Sequence, residues 1–393
     1  MLPRGVLFDL CDLCGSECLS SVVPRGIDSA PSHRPGIVVI QRTDIISFAA
    51  TAVMVVIAAV LHFAHANAVL TFAVTAAALS LLAMNVSQGT EQVGSHVGPR
   101  ATGLLQSALG NLPELLVCAF SLRAGLLQVV QAALIGSILA NSLLVLGIAI
   151  LVGGLKHGRL HFDAEAPRMI ASLMMLAVAA LAIPTLAAEL HTPAAAHEYS
   201  LSIACSLLLL CVFLASLPFS LTSDPERSVR HAEQQDTSSA RWSMPAALTV
   251  LAAASVGAAF VSEWFVTALE PAIETLHISQ AFAGIVIVAI AGNAVENVAG
   301  IRLAAKNRPD YAISVILNSS LLIALVVAPV LVLISPALGG AVLTLAMPPL
   351  LIAALLLTTL TSAIIVNDGE TIWLEGVALI GLYGVIAAAF WWG

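Results

Sequence analysis

The chain is a succession of long apolar runs separated by short polar breaks. Cutting it at clusters of charge, Pro and Gly leaves eleven runs, near 44–64, 67–88, 100–122, 126–153, 167–188, 199–220, 243–268, 280–303, 311–334, 340–366 and 371–391. Each is long enough to cross roughly 30 Å of hydrocarbon. Ala, Leu, Val and Ile dominate the runs and aromatic residues are scarce, so helices are expected rather than the alternating strands of a barrel. Only one connection is both long and polar: 221–242, containing TSDPERSVRHAEQQDTSSAR, which leaves six runs before it and five after.

Composition turns these runs into a class. Of 393 residues, 59% are hydrophobic and 10% charged, and the mean hydropathy is +1.00. A soluble domain carries roughly 25% charged residues to cover its surface. The expectation is an all-α polytopic membrane protein of about eleven transmembrane helices. The net charge of −8 says little by itself; the placement of charge says more. With the N-terminus in the cytoplasm, fourteen of the fifteen Lys and Arg residues fall on the inside and only Arg123 outside. That bias is what the positive-inside rule requires, and dropping one early span would erase it. The C-terminus is then expected outside.

The N-terminal stretch 1–43 has no apolar core ahead of a small-residue cleavage site, so it reads as a disordered cytoplasmic tail and not as a secretory signal. Its CDLCGSEC holds Cys11, Cys14 and Cys18, with His33 the nearest fourth ligand for a zinc clip, and an unstructured tail is the favoured reading. The other cysteines lie in apolar runs and behave as small hydrophobes.

Inside the apolar runs one pattern occurs twice. GNLPE (110–114) and GNAVE (292–296) place Gly, Asn and Glu at identical spacing, 182 positions apart, and the same offset carries Ser137 onto Ser319. The run holding Glu114 starts inside and the run holding Glu296 starts outside, so the two copies cross the membrane in opposite senses. This is the inverted-repeat plan of secondary transporters, with substrate bound near the midplane. The organisation expected is a helix at 44–66, a first five-helix repeat at 67–220, a cytoplasmic linker at 221–242 and a second five-helix repeat at 243–393.

In each copy Asn and Glu are three residues apart and share a helical face. Gly110 and Pro113 weaken the first helix, and Pro113 leaves the carbonyl of Leu109 without its donor. The next run of each half adds polar groups: Ser137 and Asn141 in GSILAN, Asn318, Ser319 and Ser320 in NSSLL. The candidate cation ligands are therefore Glu114, Glu296, Asn111, Asn293, Ser137, Ser319, Asn141 and Ser320, with the two glutamates also the proton carriers. An all-oxygen set suits a hard cation such as Ca²⁺, and without paired His or Cys it does not suit a transition metal. Two carboxylates in one apolar cavity cannot both ionise uncompensated, so a divalent cation and protons compete for them. Glu91 and Glu263 lie near span ends, where a solvated or interfacial role competes evenly with one on an ion pathway, whereas Glu270, Glu274, His62, His65, Asp368, Glu370 and Glu375 read as interfacial or solvated.

ATGLLQSALGNLPELLVCAFSL with GSILANSLLVLG resembles the first signature region of the Ca²⁺/H⁺ exchangers (CAX) of the cation/Ca²⁺ antiporter superfamily. AGNAVENVAGIRLAAKNRPDYAISVILNSSLLIALVVAPVLVLISP is similar to their second, and IVNDGETIWLEGVALIGLYGVIAAAF to their C-terminal stretch. The resemblance covers about 45–393. It implies a secondary antiporter that exports Ca²⁺ from the cytosol against H⁺ by alternating access, with Glu114 and Glu296 binding both ions. Four departures stand out: Asn297 where the family has His, Asn318 where it has Gly, Leu322 where it has Gln, and a linker that is not a dense acidic run. The first three alter the polar shell of the second half only, and they motivate the rival expectation of a Na⁺ or K⁺ antiporter of the same fold. A channel would pass Ca²⁺ without coupling to protons. An enzyme is not expected, because the runs hold no nucleophile–base pair. No cofactor is expected beyond the transported Ca²⁺ and H⁺. The expected partners are inorganic cations and the lipid bilayer, without nucleic acid, and a homo-oligomer is left open. Short loops favour a bacterial inner (plasma) membrane over a vacuolar one.

Overall fold

The computed structural model describes residues 42–97, 105–106, 109–222 and 242–392. The tail expected over 1–43, with Cys11, Cys14 and Cys18, and the linker over 221–242 lie almost entirely outside those residues. The helices are α1 (Arg42–Phe63), α2 (Ala68–Val97), α3 (Leu112–Arg123), α4 (Leu127–His157), α5 (Glu165–Glu189), α6 (Glu198–Thr222), α7 (Met244–Leu276), α8 (Gln280–Gly292), α9 (Ala294–Ala305), α10 (Pro309–Leu338), α11 (Pro349–Ile365) and α12 (Trp373–Ala389). Seven of them are long and apolar enough to cross a membrane, or eight crossings if the bent pair α8–α9 is taken as one. α11 and α12 are shorter apolar helices, and α3 has three turns.

Burial separates the helices into a core and a rim. In α4 78% of the most apolar window is buried and in α10 61%, against 11% in α1 and 17% in the stretch that includes α6. α1 exposes Val53, Val56 and Val60, an apolar face that only lipid can solvate. α4 and α10 are apolar over most of their surface because most of it meets protein. The backbones of α4 and α8 come into direct contact: a Cβ on Gly136 would lie 2.4 Å from the Cα of Ile285, and one on Gly284 would lie 2.6 Å from the Cβ of Ala132. Small residues permit such an approach where packing, not water, drives association.

Three stretches inside these helices are π-helical: Ala140–Val145 in α4, Ala283–Val288 in α8 and Ile323–Val327 in α10. The 182-residue offset carries 141–145 onto 323–327, so the π turns follow Ser137 and Ser319 at matching places. Single π turns displace backbone bonding and cluster at functional sites.

Two expectations need correction. The run 340–366 is not one helix: Gly339 is left-handed (φ +75), residues 340–348 are non-helical with bends at Gly340 and Leu345, and helix begins only at Pro349. Two glycines followed by Pro348–Pro349 explain this, since neither pair sustains a helix. The fold is also not purely helical, because Leu160–His161 pairs antiparallel with Glu370–Thr371. Arg159 closes this small ribbon on Glu370 at 2.6 Å, Arg168 donates to the carbonyl of Asn367, and Glu375 accepts from Thr371 and from the amide of Ile372. Among the other charges, Glu263 is exposed and His62 stacks on Trp264 at 5.6 Å, as suits span ends.

Replacing Gly136 by Ala should force α4 and α8 apart and cost about 1–3 kcal/mol or more. A lowered melting temperature of the detergent-solubilised protein, beside an unchanged one for Gly381→Ala, which meets nothing within 4 Å, is the expected result.

Candidate cation-binding site

The site begins where two helices are interrupted. Asn111 precedes α3 with φ −93 and ψ 15, and Asn293 separates α8 from α9 with φ −106 and ψ 19. Both therefore sit in the bridge region, where a helix turns a corner. At Asn293 the axis bends by 66°. The break is a property of the Asn and not of the proline: Pro113 lies in the first turn of α3, where a missing N–H costs nothing, and Asn293 breaks its helix without any proline. Each interruption leaves a Glu in the first turn of the helix that follows, where the helix dipole favours negative charge.

The two motifs face each other diagonally. A Cβ on Gly292 would lie 3.5 Å from the Cβ of Glu114, and one on Gly110 would lie 3.9 Å from Oε1 of Glu296. Each carboxylate thus lies beside the glycine of the opposite motif. Any larger residue there would enter the space next to the carboxylate.

Asn293, wholly buried, is the node of a polar network between α4, α8 and α10. Its amide donates to Oγ of Ser137 at 2.9 Å and to the carbonyl of Ala289 at 2.9 Å. Asn141 donates to Oδ1 of Asn293 at 3.4 Å and to Oγ of Ser319 at 3.1 Å. Ser137, Asn141, Asn293 and Ser319 are thus brought together. Ser320 points elsewhere, toward Ser142 at 3.1 Å, so it braces α4 against α10 rather than joining the ring. Asn111 is buried but makes no capping hydrogen bond with its side chain.

Glu114 is 2% exposed, and neither of its carboxylate oxygens accepts a hydrogen bond, although Ser137 and Asn293 are its polar neighbours and Glu296 is close enough to act on its charge. Glu296 is only half-buried. The amide oxygens Oδ1 of Asn141 and Oδ1 of Asn297 are likewise buried without a partner. Unpaired acceptors out of water cost about 1–3 kcal/mol each, more when charged. Here several of them accumulate within one small region, which is chemically a site short of positive charge. Among the described residues no three His, Cys, Asp or Glu side chains gather, so neutral oxygens must supply the rest of any coordination shell.

Sequence reasoning missed several participants. Ser80 of α2 donates to the carbonyl of Ala291, next to Gly292, which ties a third helix to the break. The carbonyl of Ala289 also belongs to the network, and Ser142 braces α4 against α10 through Ser320. Ser142 was legible, since it follows Asn141 directly. Ser80 stands alone in an apolar run, and a backbone carbonyl carries no sequence signal.

Known proteins resemble the chain over nearly its whole described length. The model of the sodium/calcium exchanger protein family matches residues 67–222 and 246–392. A protein of Synechocystis named Ca(2+)/H(+) antiporter is 34% identical over 345 residues, spanning 81% of this chain and 90% of that one. The Ca(2+)/H(+) antiporter ChaA of Bacillus subtilis is 34% identical over 363 residues, spanning 89% and 99%. The solved structure of native YfkE superposes with a TM-score of 0.75 at 31% identity, spanning 88% of this chain and 99% of that one.

Since Asn293 joins α4, α8 and α10 while Asn111 lacks such bonds, Asn293→Ala should lower the melting temperature and Asn111→Ala should not. Leaving partners unpaired costs about 1–3 kcal/mol. Thermal unfolding of the two purified variants side by side checks this.

Proposed function

Because the chain belongs to the sodium/calcium exchanger protein family, we propose that it is a secondary antiporter that exports Ca²⁺ from the cytosol in exchange for H⁺, by alternating access at a midplane site containing Glu114 and Glu296. The observation that carries this reading is the Glu114 carboxylate: buried, close to a second carboxylate, and short of hydrogen bonds in a ring of amides and hydroxyls, with Ser137 and Asn293 its polar neighbours. Such a group needs compensation. Ca²⁺ balances two carboxylates and takes about six to eight oxygen ligands, for which Asn111, Asn141, Asn293, Ser137 and Ser319 are the neutral candidates. Ser320 is the weakest of the proposed ligands, since its hydroxyl is engaged with Ser142. Two protons balance the same carboxylates. Because the two loads exclude each other, unloading one ion admits the other, and the site need never cross the membrane empty and charged. The relatives named Ca(2+)/H(+) antiporters support this choice of ions.

The same reading includes eleven spans with the N-terminus inside and the C-terminus outside, in a plasma membrane. A first helix at 44–66 is followed by inverted five-helix halves at 67–220 and 243–393, joined by the linker. The matched π turns and the like backbone of Asn111 and Asn293 support the pairing of the halves.

Everted vesicles with an imposed pH gradient test the proposal. Added Ca²⁺ should dissipate the gradient and enter the vesicles, and Glu114→Gln or Glu296→Gln should reduce uptake to the level of vesicles lacking the protein while leaving insertion intact. If Na⁺ or K⁺ relieves the gradient and Ca²⁺ does not, the reading falls. Protons compete for the carboxylates, so the half-saturating Ca²⁺ concentration should rise as the pH on the loading side falls. The limit is about tenfold per pH unit for each proton displaced.

A further inference from the structure

The helix that carries Glu114 has a loose beginning. α3 is separated from the residues before it by the non-helical Asn111, so no continuous helix sets its height or tilt from that end. At its other end the structure holds it firmly. The non-helical segment 340–348 lies against that end, and the amide of Ala341 donates to the carbonyl of Leu122 at 2.9 Å, one residue before α3 ends. Gly340 makes the approach feasible: a Cβ there would lie 2.2 Å from the oxygen of Leu122 and 2.6 Å from the Cα of Arg123.

The segment is itself tied to three other helices. Gln131 of α4 donates to the carbonyl of Ala346 at 3.0 Å. Thr185 of α5 both donates to the carbonyl of Leu345 at 3.2 Å and accepts from the amide of Met347 at 2.9 Å. Ser202 of α6 accepts from the amide of Leu345 at 3.0 Å, and Glu198 at the start of α6 accepts from Oγ1 of Thr344. Leu343, Leu345 and Met347 alternate into the core while the side chains between them stay outside it, as in a strand. Bare backbone inside a membrane protein is affordable only where protein partners satisfy it. Here side chains from α4, α5 and α6 do so.

We infer that residues 340–348 are a strap that positions Glu114 for cation binding, with Gly340 and Thr185 as its positioning residues. Leu122 lies eight residues beyond Glu114, about 12 Å along a rigid three-turn helix. A displacement of the strap therefore moves the carboxylate, although none of the strap touches it. The corresponding place in the other half has a different fastening: Gly158, 182 residues before Gly340, meets nothing within 4 Å, and the end of α9 is held by the His157 ring against the carbonyl of Ala305. The strap thus fixes one carboxylate helix more firmly than the other, consistent with a Glu114 that is enclosed and a Glu296 that is only partly so.

The inference rests on the proposed cation site, and its test separates the two. Thr185→Val removes both bonds to the strap, and Thr185→Ser keeps them. In everted vesicles, with rates normalised to inserted protein, Thr185→Val should raise the half-saturating Ca²⁺ concentration about fivefold or more with little change in maximal rate. Thr185→Ser should restore it. Gly340→Ala should shift it in the same direction. A purely structural strap would instead lower the amount of inserted protein and leave half-saturation unchanged, and that outcome in Thr185→Val overturns the inference. Should Thr185→Val fail to insert, Ser202→Ala reads the same quantity with the same two outcomes. If the unmodified protein dissipates the gradient with another cation and not with Ca²⁺, the functional reading fails on its own, and that cation is titrated against the same variants.

Discussion

Burying the Glu114 carboxylate beside a second carboxylate is the constraint to which the rest of the molecule answers. An ionised carboxylate in a medium of low dielectric constant must be neutralised or surrounded by donors, and two neighbouring ones raise each other's cost. The fold offers Glu114 few donors: the amide of Asn293 is spent on Ser137 and Ala289, and that of Asn141 on Asn293 and Ser319. Those amides are organised to hold one another in place, with their oxygens and the carboxylates left over. A site rigid in its framework and deficient in charge is what binds a small cation without rearranging first. The interruptions at Asn111 and Asn293 serve the same end, since each opens a helix just where a carboxylate follows in the first turn.

The two motifs share a pattern but not a setting. α3 buries Pro113, Glu114, Val117, Cys118, Ser121 and Leu122, and it packs against α7. α9 buries only Gly300 and Ala304. The Asn293 side chain makes three hydrogen bonds, whereas Asn111 has no comparable role. The unequal packing leaves Glu296 more accessible than Glu114.

Much of this was legible in the chain. The apolar runs located helices, and the repeated Gly, Asn and Glu with the polar residues of the following runs picked out Asn293, Ser137, Asn141 and Ser319 as candidates, because those residue types have little other reason to sit in hydrocarbon. Other features were hidden for physical reasons. The strap VLTLAM reads as a membrane helix because Val342 and Ala346 are as apolar as the buried Leu343 and Leu345, so its two-residue period carries no polar signal. The π turns follow from tertiary packing and leave no mark on composition. Pro113 misled by its reputation as a breaker, since its effect depends on how far it lies from the helix start.

The diagonal packing of glycine against glutamate has a consequence for how such a chain can change. Gly292 borders Glu114 and Gly110 borders Glu296, so the surroundings of each carboxylate are written in the other half of the sequence. Drift in either motif is therefore tested against its opposite number first, and neither half can specialise alone. Substitutions that survive at one glycine should be found together with compensating ones near the glutamate of the opposite motif, which makes the pair a single unit of heredity spread over two distant segments.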